Sequence, residues 1–371
     1  MTIPGSTSGP AAPGHPREVI AAALAGGVIS AEDLVWRGVR VDPIGRSHPV
    51  YRLSVDDRPR AILKVFGPSR GGTDGDPARE RAVLELARER PGVAALVAPA
   101  LAWRGDPAVI VTEAVDGAAA WTLDSHGGGA TPPAAAWSEL VALVASPLAA
   151  LHRATRDLAR PGAASPSALD APPPWGLRLF DGDAPADVWA TAPLARLLAG
   201  VAEPGVIASL REGRARWRRM CLVHGDLKHD NLLVAAAGAA RRVVIVDWEM
   251  ARLGDPAWDL AALAARLPMA APVADPWGEE ALAGAARLVA AYAAASGLPV
   301  AALARRMVLF CGAWLLMAAT QHRSTLPAES METGAADLAA RGRATLLDAD
   351  RLTALVETAA LEMAAQATSA P

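Results

Sequence analysis

Two short polar segments near the middle of the chain carry the residue types best suited to chemistry. In the first, which follows the apolar run CLV, His224, Asp226 and Asn231 are spaced as H-x-D-x-x-x-x-N. In the second, the β-type run VVIV leads directly into Asp247. Turn residues around Gly238 predict a hairpin that would bring the side chains of Asn231 and Asp247 close together. Because Mg²⁺ prefers oxygen ligands, this pair could hold the cation on a nucleotide.

Lysine and asparagine are rare in this chain, and the places where they occur are informative. Of 36 basic residues only Lys64 and Lys228 are lysines, and Asn231 is the single asparagine. A compact ammonium suits a phosphate oxygen in a tight site better than the wider guanidinium fork of arginine. We therefore expect the two lysines to mark phosphate contacts, with chance survival as the alternative.

The elements around Lys64 predict a partner for its ammonium. Residues 50–55 and 60–66 have the composition of two strands joined by a turn, and Lys64 lies inside the second. An amine within an apolar strand is costly unless a negative group meets it. Glu80, one turn into the helix expected next, is the predicted partner, and Glu85 is a weaker candidate. A lysine at the edge of a strand, with its end in solvent, is the alternative.

Two further segments predict weaker nucleotide contacts. In the turn IGRSH, Ser47 and backbone N–H groups could bond phosphate oxygens, although the turn is not glycine-rich and an ordinary turn explains it equally well. The run AVIVTEAV predicts a strand. At the end of this strand, Glu113 and Val115 could offer backbone groups to an adenine edge.

Composition and length bound the class of protein. A chain of 371 residues with 52% hydrophobic content can form two domains or one bilobal unit. Residues 1–16 are rich in Gly, Pro and Ser, which predicts disorder, and they lack the pattern of a signal peptide. The presence of only two cysteines favours a reducing compartment. No uninterrupted apolar stretch is long enough to span a bilayer. A net charge of -3 gives no electrostatic reason to expect nucleic acid as a partner. We therefore expect a cytoplasmic protein with no nucleic acid or membrane partner.

The first polar segment has the groups that phosphoryl transfer requires, because this reaction depends on positioning and charge neutralisation. Asp226 could orient an acceptor hydroxyl, and Lys228 could reach the γ-phosphate of a nucleoside triphosphate. His224 is expected to support the loop by hydrogen bonding. In GDPAWDLA, Asp255 and Asp259 could anchor the loop from the following helix; alternatively, Asp255 simply starts that helix.

From about Val39 to the 320s the chain resembles the aminoglycoside phosphotransferase and choline kinase-like family. HGDLKHDN is similar to the family's H-G-D-x-x-x-x-N, and IVDWE followed by GDPAWDLA is similar to its metal-binding segment and the next helix. The resemblance implies an α+β, bilobal, protein-kinase-like fold. Its small antiparallel-sheet lobe would span residues 17–116, and its larger, mainly helical lobe residues 117–371.

The resemblance also implies roles for individual residues. Asp226 would be the catalytic base, and Asn231 and Asp247 the Mg²⁺ ligands. Lys64 and Glu80 would form the ion pair that holds the nucleotide phosphates. Two features differ from protein kinases: Trp-Glu follows the metal-binding acid in place of Phe-Gly, and the A-P-E motif is absent. Both favour a site that needs no regulated activation loop.

The leading hypothesis is an ATP- or GTP-dependent, Mg²⁺-dependent O-phosphotransferase, a kinase that acts on a hydroxyl of a small metabolite or antibiotic. An alternative acceptor is Ser or Thr of a precursor peptide in lanthipeptide-like natural-product biosynthesis. The C-terminal helices, which are expected to line the acceptor pocket, carry mixed charge rather than an acidic wall, and this disfavours a polycationic aminoglycoside. Their charged residues include Glu279, Glu280, Arg305, Arg306 and Arg323.

Two hypotheses from other classes are weaker. A metal-dependent hydrolase could draw its ligands from both polar segments, namely from His224, Asp226, His229, Asp230 and Asp247. That function leaves the two lysines without a role. A nucleotide-binding scaffold without activity is also disfavoured, because all the expected catalytic residues are present.

Overall fold

A computed structural model describes residues 16–45, 49–66, 76–105, 108–115, 117–119, 134–182, 192–237, 240–321 and 328–369. The chain divides into two compact units. The smaller contains the described parts of Met1–Gly71 and Ala98–Asp116, and the larger those of Gly72–Val97 and Gly117–Pro371. The described residues 76–97 therefore group with the larger unit, whereas the sequence predicts them in the N-terminal lobe. Most of the segment expected to be disordered, residues 1–15, lies outside the described residues.

The smaller unit is built on one antiparallel sheet. Its elements are α1 (Pro16–Ala25), α2 (Ala31–Trp36), β1 (Val39–Pro43), β2 (Val50–Val55), β3 (Arg58–Phe66), β4 (Ala100–Gly105) and β5 (Ala108–Glu113). The strands pair in the order β1-β2-β3-β5-β4. Apolar side chains of β2, β3 and β5 pack with those of α1 in a single core.

Strand pairing in this sheet confirms the predicted hairpin and corrects one boundary. β2 pairs with β3 in antiparallel register, as predicted. β5 ends at Glu113 rather than at Val115, because its pairing with β3 stops at Ala61. Along β3, Ala61 and Leu63 belong to the core, and the alternation of a strand places Lys64 on the opposite face.

The larger unit is mainly helical. Its helices are α3 (Pro77–Glu89), α4 (Pro91–Ala94), α5 (Ala134–Ala154), α6 (Ala192–Val201), α7 (Pro204–Arg216), α8 (Pro256–Ala264), α9 (Arg266–Ala270), α10 (Glu279–Ser296), α11 (Val300–Gln321), α12 (Ala328–Leu347) and α13 (Ala349–Ser369). Its short strands are β6 (Gly117–Ala119), β7 (Cys221–Val223), β8 (Leu232–Ala237), β9 (Ala240–Ile245) and β10 (Arg252–Gly254). This combination confirms the predicted α+β class.

Two small sheets of the larger unit position the polar segments. β7 pairs with β10, and β8 lies between β6 and β9. β8 and β9 are antiparallel with Leu232 opposite Ile245, which confirms the predicted hairpin. The glycine-rich sequence of residues 117–131 predicts a surface loop, but its first three residues form β6, because they pair with β8. Helix α5 continues without a break through Pro147, where the sequence predicts a break or kink.

One stretch of α11, Val300–Thr320, is long and apolar enough to cross a membrane by length and composition, within the part of the chain that the structure describes. In the protein, 83% of the 18-residue apolar window within this stretch is buried. Such burial is typical of a helix in the core of a globular unit, where α11 packs against other helices of the larger unit.

Candidate active site

The first polar segment leaves the buried strand β7 through a turn that only glycine can make. Gly225 has a φ of +87°, a left-handed conformation that side chains rarely adopt. A Cβ atom at this position would lie 2.3 Å from the carbonyl oxygen of Met250. The turn therefore fixes the path of the backbone immediately before Asp226.

His224 supports the segment through both ring nitrogens. Nδ1 accepts a hydrogen bond from the N–H of Asp226 at 3.2 Å, so the ring proton lies on Nε2. Nε2 donates to the carbonyl oxygen of Val246 at 2.9 Å, which ties this segment to the end of the second one. The predicted supporting role of His224 is thereby confirmed.

Asp259, on α8, anchors the backbone of the first polar segment. Its carboxylate is fully buried and accepts hydrogen bonds from the N–H groups of His224 at 2.9 Å and Gly225 at 3.1 Å. The indole N–H of Trp258 donates to the carbonyl oxygen of Gly225 at 2.8 Å. These bonds confirm that Asp259 anchors the loop, and they add Trp258, which sequence reasoning missed.

A second buried layer holds Asp259 in place. Nε2 of His152 lies 3.2 Å from the Asp259 carboxylate, and Nδ1 of His152 lies 2.7 Å from the hydroxyl of Tyr292. Since a carboxylate only accepts, His152 donates to Asp259 and accepts from Tyr292. Burial raises the pKa of Tyr292, so the hydroxyl keeps the proton that it donates. Sequence reasoning does not find these two residues; polar side chains on the buried faces of α5 and α10 are the only signal.

Asp255, the other acid of the GDPAWDLA segment, forms its hydrogen bonds with groups outside the loop. Its carboxylate caps α8 by accepting from the N–H of Ala257 at 3.0 Å and also accepts from the N–H of Arg218 at 3.1 Å. A salt bridge of 2.8 Å to Arg306 compensates its charge. Asp255 therefore starts the helix, as the alternative interpretation holds.

Asp226 and Lys228 form a salt bridge with a distance of 2.5 Å from Nζ to Oδ2. Burial raises the pKa of Asp226, and the Lys228 ammonium opposes this rise only in part. The pKa of Lys228 is also raised. Burial acts to lower this pKa, but the nearby carboxylates of Asp226, Asp247 and Asp230 outweigh the effect of burial. The side chains are 15% and 36% exposed, so the pair is accessible to a ligand. The structure thus brings the two predicted catalytic residues together.

Asn231 is 5% exposed and has a defined orientation. Its Nδ2 donates to the backbone carbonyl oxygen of Asp226 at 2.9 Å. Because the amide nitrogen is used as a donor, Oδ1 is the atom that could ligate a cation. The N–H of Val246 donates to the carbonyl oxygen of Asn231 at 3.0 Å, which joins the two polar segments through their backbones.

Asp247 belongs to a cluster of three carboxylates with Glu80 and Glu249. One side-chain oxygen from each of the three lies within 4.8 Å of the others. Asp247 has φ 69° and ψ 57°, a left-handed conformation that costs on the order of 1 kcal/mol and that recurs at functional sites. The N–H of Asp76, the N-cap of α3, donates to the carbonyl oxygen of Glu249 at 3.0 Å. Sequence analysis does not predict Glu249 as a site residue, and it predicts Glu80 only as a partner for Lys64.

This donor set fits the Mg²⁺ that the family resemblance implies. Mg²⁺ prefers hard oxygen ligands and usually shares one or two protein carboxylates with substrate phosphates and water. Asp247 provides a carboxylate within the cluster, and Asn231 provides an amide oxygen. Glu80 and Glu249 are further oxygen donors near Asp247.

In the smaller unit, Lys64 lies in β3 with only 7% of its surface exposed. Its Nζ is 4.9 Å from the centroid of the Phe66 ring, on the same face of the strand. Lys64 and Glu80 belong to different units, so their ion pair stays a prediction. The N–H of Glu113 donates to the carbonyl oxygen of Pro99 at 2.8 Å, so it is already used within the smaller unit, and the contact of Glu113 with an adenine edge stays a prediction.

The structure does not test the two other predicted nucleotide contacts, those of Val115 and Ser47. Val115 follows the end of β5, and its contact with an adenine edge stays a prediction. Ser47 lies outside the described residues.

The chain matches one protein family over most of its length. The sequence profile of the phosphotransferase enzyme family APH matches residues 38–309. A search of curated proteins finds no match.

Several solved kinases have the same fold. A microcompartment-associated aminopropanol kinase is 17% identical, with a TM-score of 0.59 over 91% of this chain and 99% of that one. A choline/ethanolamine kinase family protein from Mesorhizobium loti is 18% identical, with a TM-score of 0.51 over 92% and 99% of the two chains. The choline kinase LicA from Streptococcus pneumoniae is 15% identical, with a TM-score of 0.52 over 89% and 99%.

At these identities the structural neighbours establish the fold, and they confirm the expected kinase-like architecture. The profile match confirms the resemblance seen in HGDLKHDN and IVDWE, and with it the enzyme class. The chain is therefore a member of the APH phosphotransferase enzyme family.

Proposed function

We propose that the protein is a nucleoside triphosphate-dependent and Mg²⁺-dependent kinase that phosphorylates the hydroxyl of a small molecule. The salt bridge between Asp226 and Lys228 is the observation that carries this proposal. It combines a carboxylate with a raised pKa and an ammonium that stays protonated on one loop fixed by buried groups. A base whose pKa approaches the working pH accepts a proton more effectively than an ordinary carboxylate.

In the proposed reaction the acceptor hydroxyl donates a hydrogen bond to Asp226. Its oxygen forms a bond to the γ-phosphorus as the bond from that phosphorus to the β-γ bridging oxygen breaks. Asp226 takes the hydroxyl proton, and the nucleoside diphosphate leaves with the bonding electrons. Lys228 places positive charge beside the transferring group.

Mg²⁺, held by Asn231 and Asp247, would neutralise phosphate charge and orient the nucleotide. We assign the remaining phosphate contact to Lys64, with Glu80 as the predicted ion-pair partner that holds its ammonium. The proposed nucleotide is ATP or GTP, and a solved complex of LicA with AMP, from a protein of the same fold, supports an adenine nucleotide.

The names of the solved kinases support a small alcohol as acceptor rather than a peptide. The hydrolase hypothesis is weakened by His224, because both of its ring nitrogens bond to backbone groups and neither is available to a metal. Both cysteines are free and buried, which supports the cytoplasm as the proposed compartment.

Transfer of radiolabel tests the proposal. Wild-type protein and Asp226→Asn are incubated with [γ-³²P]ATP or GTP, with and without Mg²⁺, and with pools of hydroxylated metabolites, antibiotics and Ser/Thr peptides. We expect label on a small-molecule acceptor only with Mg²⁺, and at least a hundredfold slower transfer by the variant. Equal transfer by Asp226→Asn, or label found only on peptides, would contradict the proposal.

A further inference from the structure

A cavity of about 240 Å³ opens beside the Asp226 and Lys228 pair, within the larger unit. This volume corresponds to the liquid volume of about eight water molecules, so it admits a ligand of roughly eight non-hydrogen atoms. It is below the usual range of pockets for drug-sized ligands. The space next to the proposed base therefore favours a compact acceptor.

Helices α5, α8, α9 and α11 contribute apolar side chains to the wall of this cavity. These residues are Trp137, Leu140, Leu263, Met269, Trp314 and Ala318. The two on α5 are three residues apart and the two on α11 are four apart, and residues at these spacings lie on the same face of a helix. The faces of α5 and α11 that border the cavity are therefore apolar. An acceptor with an apolar body would be removed from water by contact with them.

Met269 and Ala318 differ from the other apolar residues of the wall in their exposure. Both are partly exposed, whereas the other four are buried, with at most 6% of their surface exposed. A ligand in the cavity can therefore contact Met269 and Ala318 without a rearrangement of the wall. Met269 has a long, flexible side chain and Ala318 a single methyl group, so the size of the side chain at each position changes the space for a ligand.

The charged groups that the structure describes in the wall balance one another. Asp226 pairs with Lys228 at 2.5 Å, and the carboxylate of Asp230 lies 3.2 Å from Nε2 of His229. Arg266 adds a second permanent cation. Two carboxylates are thus matched by two permanent cations. An acceptor with a charge of either sign would meet no surplus of opposite charge to compensate its loss of water.

The arginines expected near an acceptor are engaged elsewhere. Arg305 forms a salt bridge with Glu212, and Arg306 forms one with Asp255. Neither is among the described residues that line the cavity. Arg323 lies outside the described residues.

We infer that the acceptor is a compact, uncharged alcohol whose apolar body lies against Met269 and Ala318. The inference rests on the proposed function, because the alcohol is phosphorylated at the hydroxyl that reaches Asp226. Met269 and Ala318 are thereby assigned as residues that limit the size of the acceptor.

A pair of isosteric alcohols tests the preference for an uncharged acceptor. In 3,3-dimethylbutan-1-ol a carbon atom replaces the quaternary nitrogen of choline, so the two molecules have the same shape and differ in charge. ADP release is measured with full-length protein, ATP and Mg²⁺ for both, and for 4-hydroxybutanoate as a compact anion. We expect kcat/KM for 3,3-dimethylbutan-1-ol to be at least about tenfold higher than that for either ion. Equal values, or a preference for an ion, would overturn the inference.

Benzyl alcohol and naphthalen-2-ylmethanol test the size limit in the same assay. Benzyl alcohol has roughly the number of atoms that the cavity admits, and the naphthyl alcohol carries an additional fused ring. In the wild type we expect kcat/KM to be about tenfold lower for the naphthyl alcohol. Met269→Ala enlarges the space and should raise this value at least about threefold. Ala318→Leu fills the space and should lower kcat/KM for benzyl alcohol about tenfold.

Ala301→Leu is the matched control for Ala318→Leu. Ala301 is an exposed residue of the same helix and is not among the described residues that line the cavity, so the control should leave kcat/KM for both alcohols unchanged. Equal values for the two alcohols in the wild type would overturn the inference. So would an Ala318→Leu variant that uses benzyl alcohol as well as Ala301→Leu does. The wild-type comparisons decide the matter even if a variant does not fold.

Failure of the proposed function would give a different result. In that case no alcohol would stimulate ADP release. Binding of 3,3-dimethylbutan-1-ol and choline would then be measured by saturation-transfer NMR without nucleotide. A stronger signal for the uncharged alcohol, lost in Ala318→Leu and kept in Ala301→Leu, would support the cavity assignment alone. No signal, an equal signal for choline, or a signal that survives Ala318→Leu would overturn that assignment as well.

Discussion

The two polar segments of the larger unit are built in different ways. The segment after β7 is fixed by two buried side chains: the Asp259 carboxylate accepts hydrogen bonds from its backbone N–H groups, and the Trp258 indole donates one to a backbone carbonyl oxygen. The segment after β9 brings Asp247 and Glu249 together with Glu80, and holds Asp247 in a left-handed conformation. The segment after β7 therefore holds Asp226 in a fixed position, whereas the segment after β9 concentrates negative charge.

This difference indicates a division of labour. A base must be held in one place relative to the acceptor, and buried hydrogen bonds provide that rigidity. Three carboxylates within 4.8 Å of one another repel, and a divalent cation would remove much of that repulsion. We therefore propose that Asp226, on the loop after β7, serves the acceptor, and that Asp247, on the loop after β9, serves the nucleotide together with Asn231.

The largest effect should come from the acceptor side. Asp226→Asn keeps the shape of the side chain but removes the group that takes the proton, so we expect kcat to fall by about 10²- to 10⁴-fold. Nucleotide binding and folding should change little, because burial already disfavours the charged form of Asp226. Steady-state kinetics and thermal melts measure both effects. A variant with more than a tenth of wild-type kcat would show that Asp226 is not the base.

The two acids of α8 should differ when each is changed to asparagine. In Asp259→Asn an amide N–H₂ would face the N–H of His224 or Gly225, so we expect the free energy of unfolding to fall by about 2–4 kcal/mol and kcat to fall at least tenfold. Asp255→Asn should reduce stability through Arg306 while leaving the kcat of the folded fraction near that of the wild type. Chemical denaturation and kinetics of both variants measure the contrast. Equal losses of kcat would show that the loop is not held specifically by Asp259.

A smaller, graded effect should follow pH. Because the folded-state pKa of Asp226 is raised above its ordinary value of 3.8, the base is lost as pH falls through a value above that of an ordinary carboxyl. We expect log kcat/KM to fall by about one unit per pH unit on this acid limb. Stability depends on pH in the opposite direction: the ionised form is disfavoured in the folded state, so this group favours folding at low pH rather than at high pH. A profile that stays flat to about pH 4, near the ordinary carboxyl pKa, would contradict the raised pKa.

Local patterns in the sequence predict much of this arrangement. Alternating apolar runs and turn residues predict the hairpins, and the order of His224, Asp226 and Asn231 predicts a loop whose polar groups face one another. Asp259 can be proposed as an anchor because it is one helical turn from Asp255, on the helix that directly follows the second segment. These relations depend on neighbours close in sequence, which periodicity and turn chemistry constrain.

The rest depends on packing between distant elements. His152 and Tyr292 are 140 residues apart, and Glu80 reaches the cluster of Asp247 from a helix far earlier in the chain. The pairing of Arg306 with Asp255 likewise removes an arginine that the sequence predicts near the acceptor. No local pattern fixes how helices meet, so these contacts can be seen only in the folded chain.

The proposed mechanism depends above all on Asp247 holding Mg²⁺ on a nucleotide beside the base of the first loop. A thermal shift assay with ATP measures this dependence, in wild-type protein and in Asp247→Asn, each with Mg²⁺ and with EDTA. Saturating ligand should add roughly 2–3 kcal/mol of stability to the wild type with Mg²⁺. We predict a shift of several degrees that requires Mg²⁺ and is lost in Asp247→Asn. The same shift in EDTA, or one that the substitution leaves unchanged, would show that Asp247 does not hold the metal.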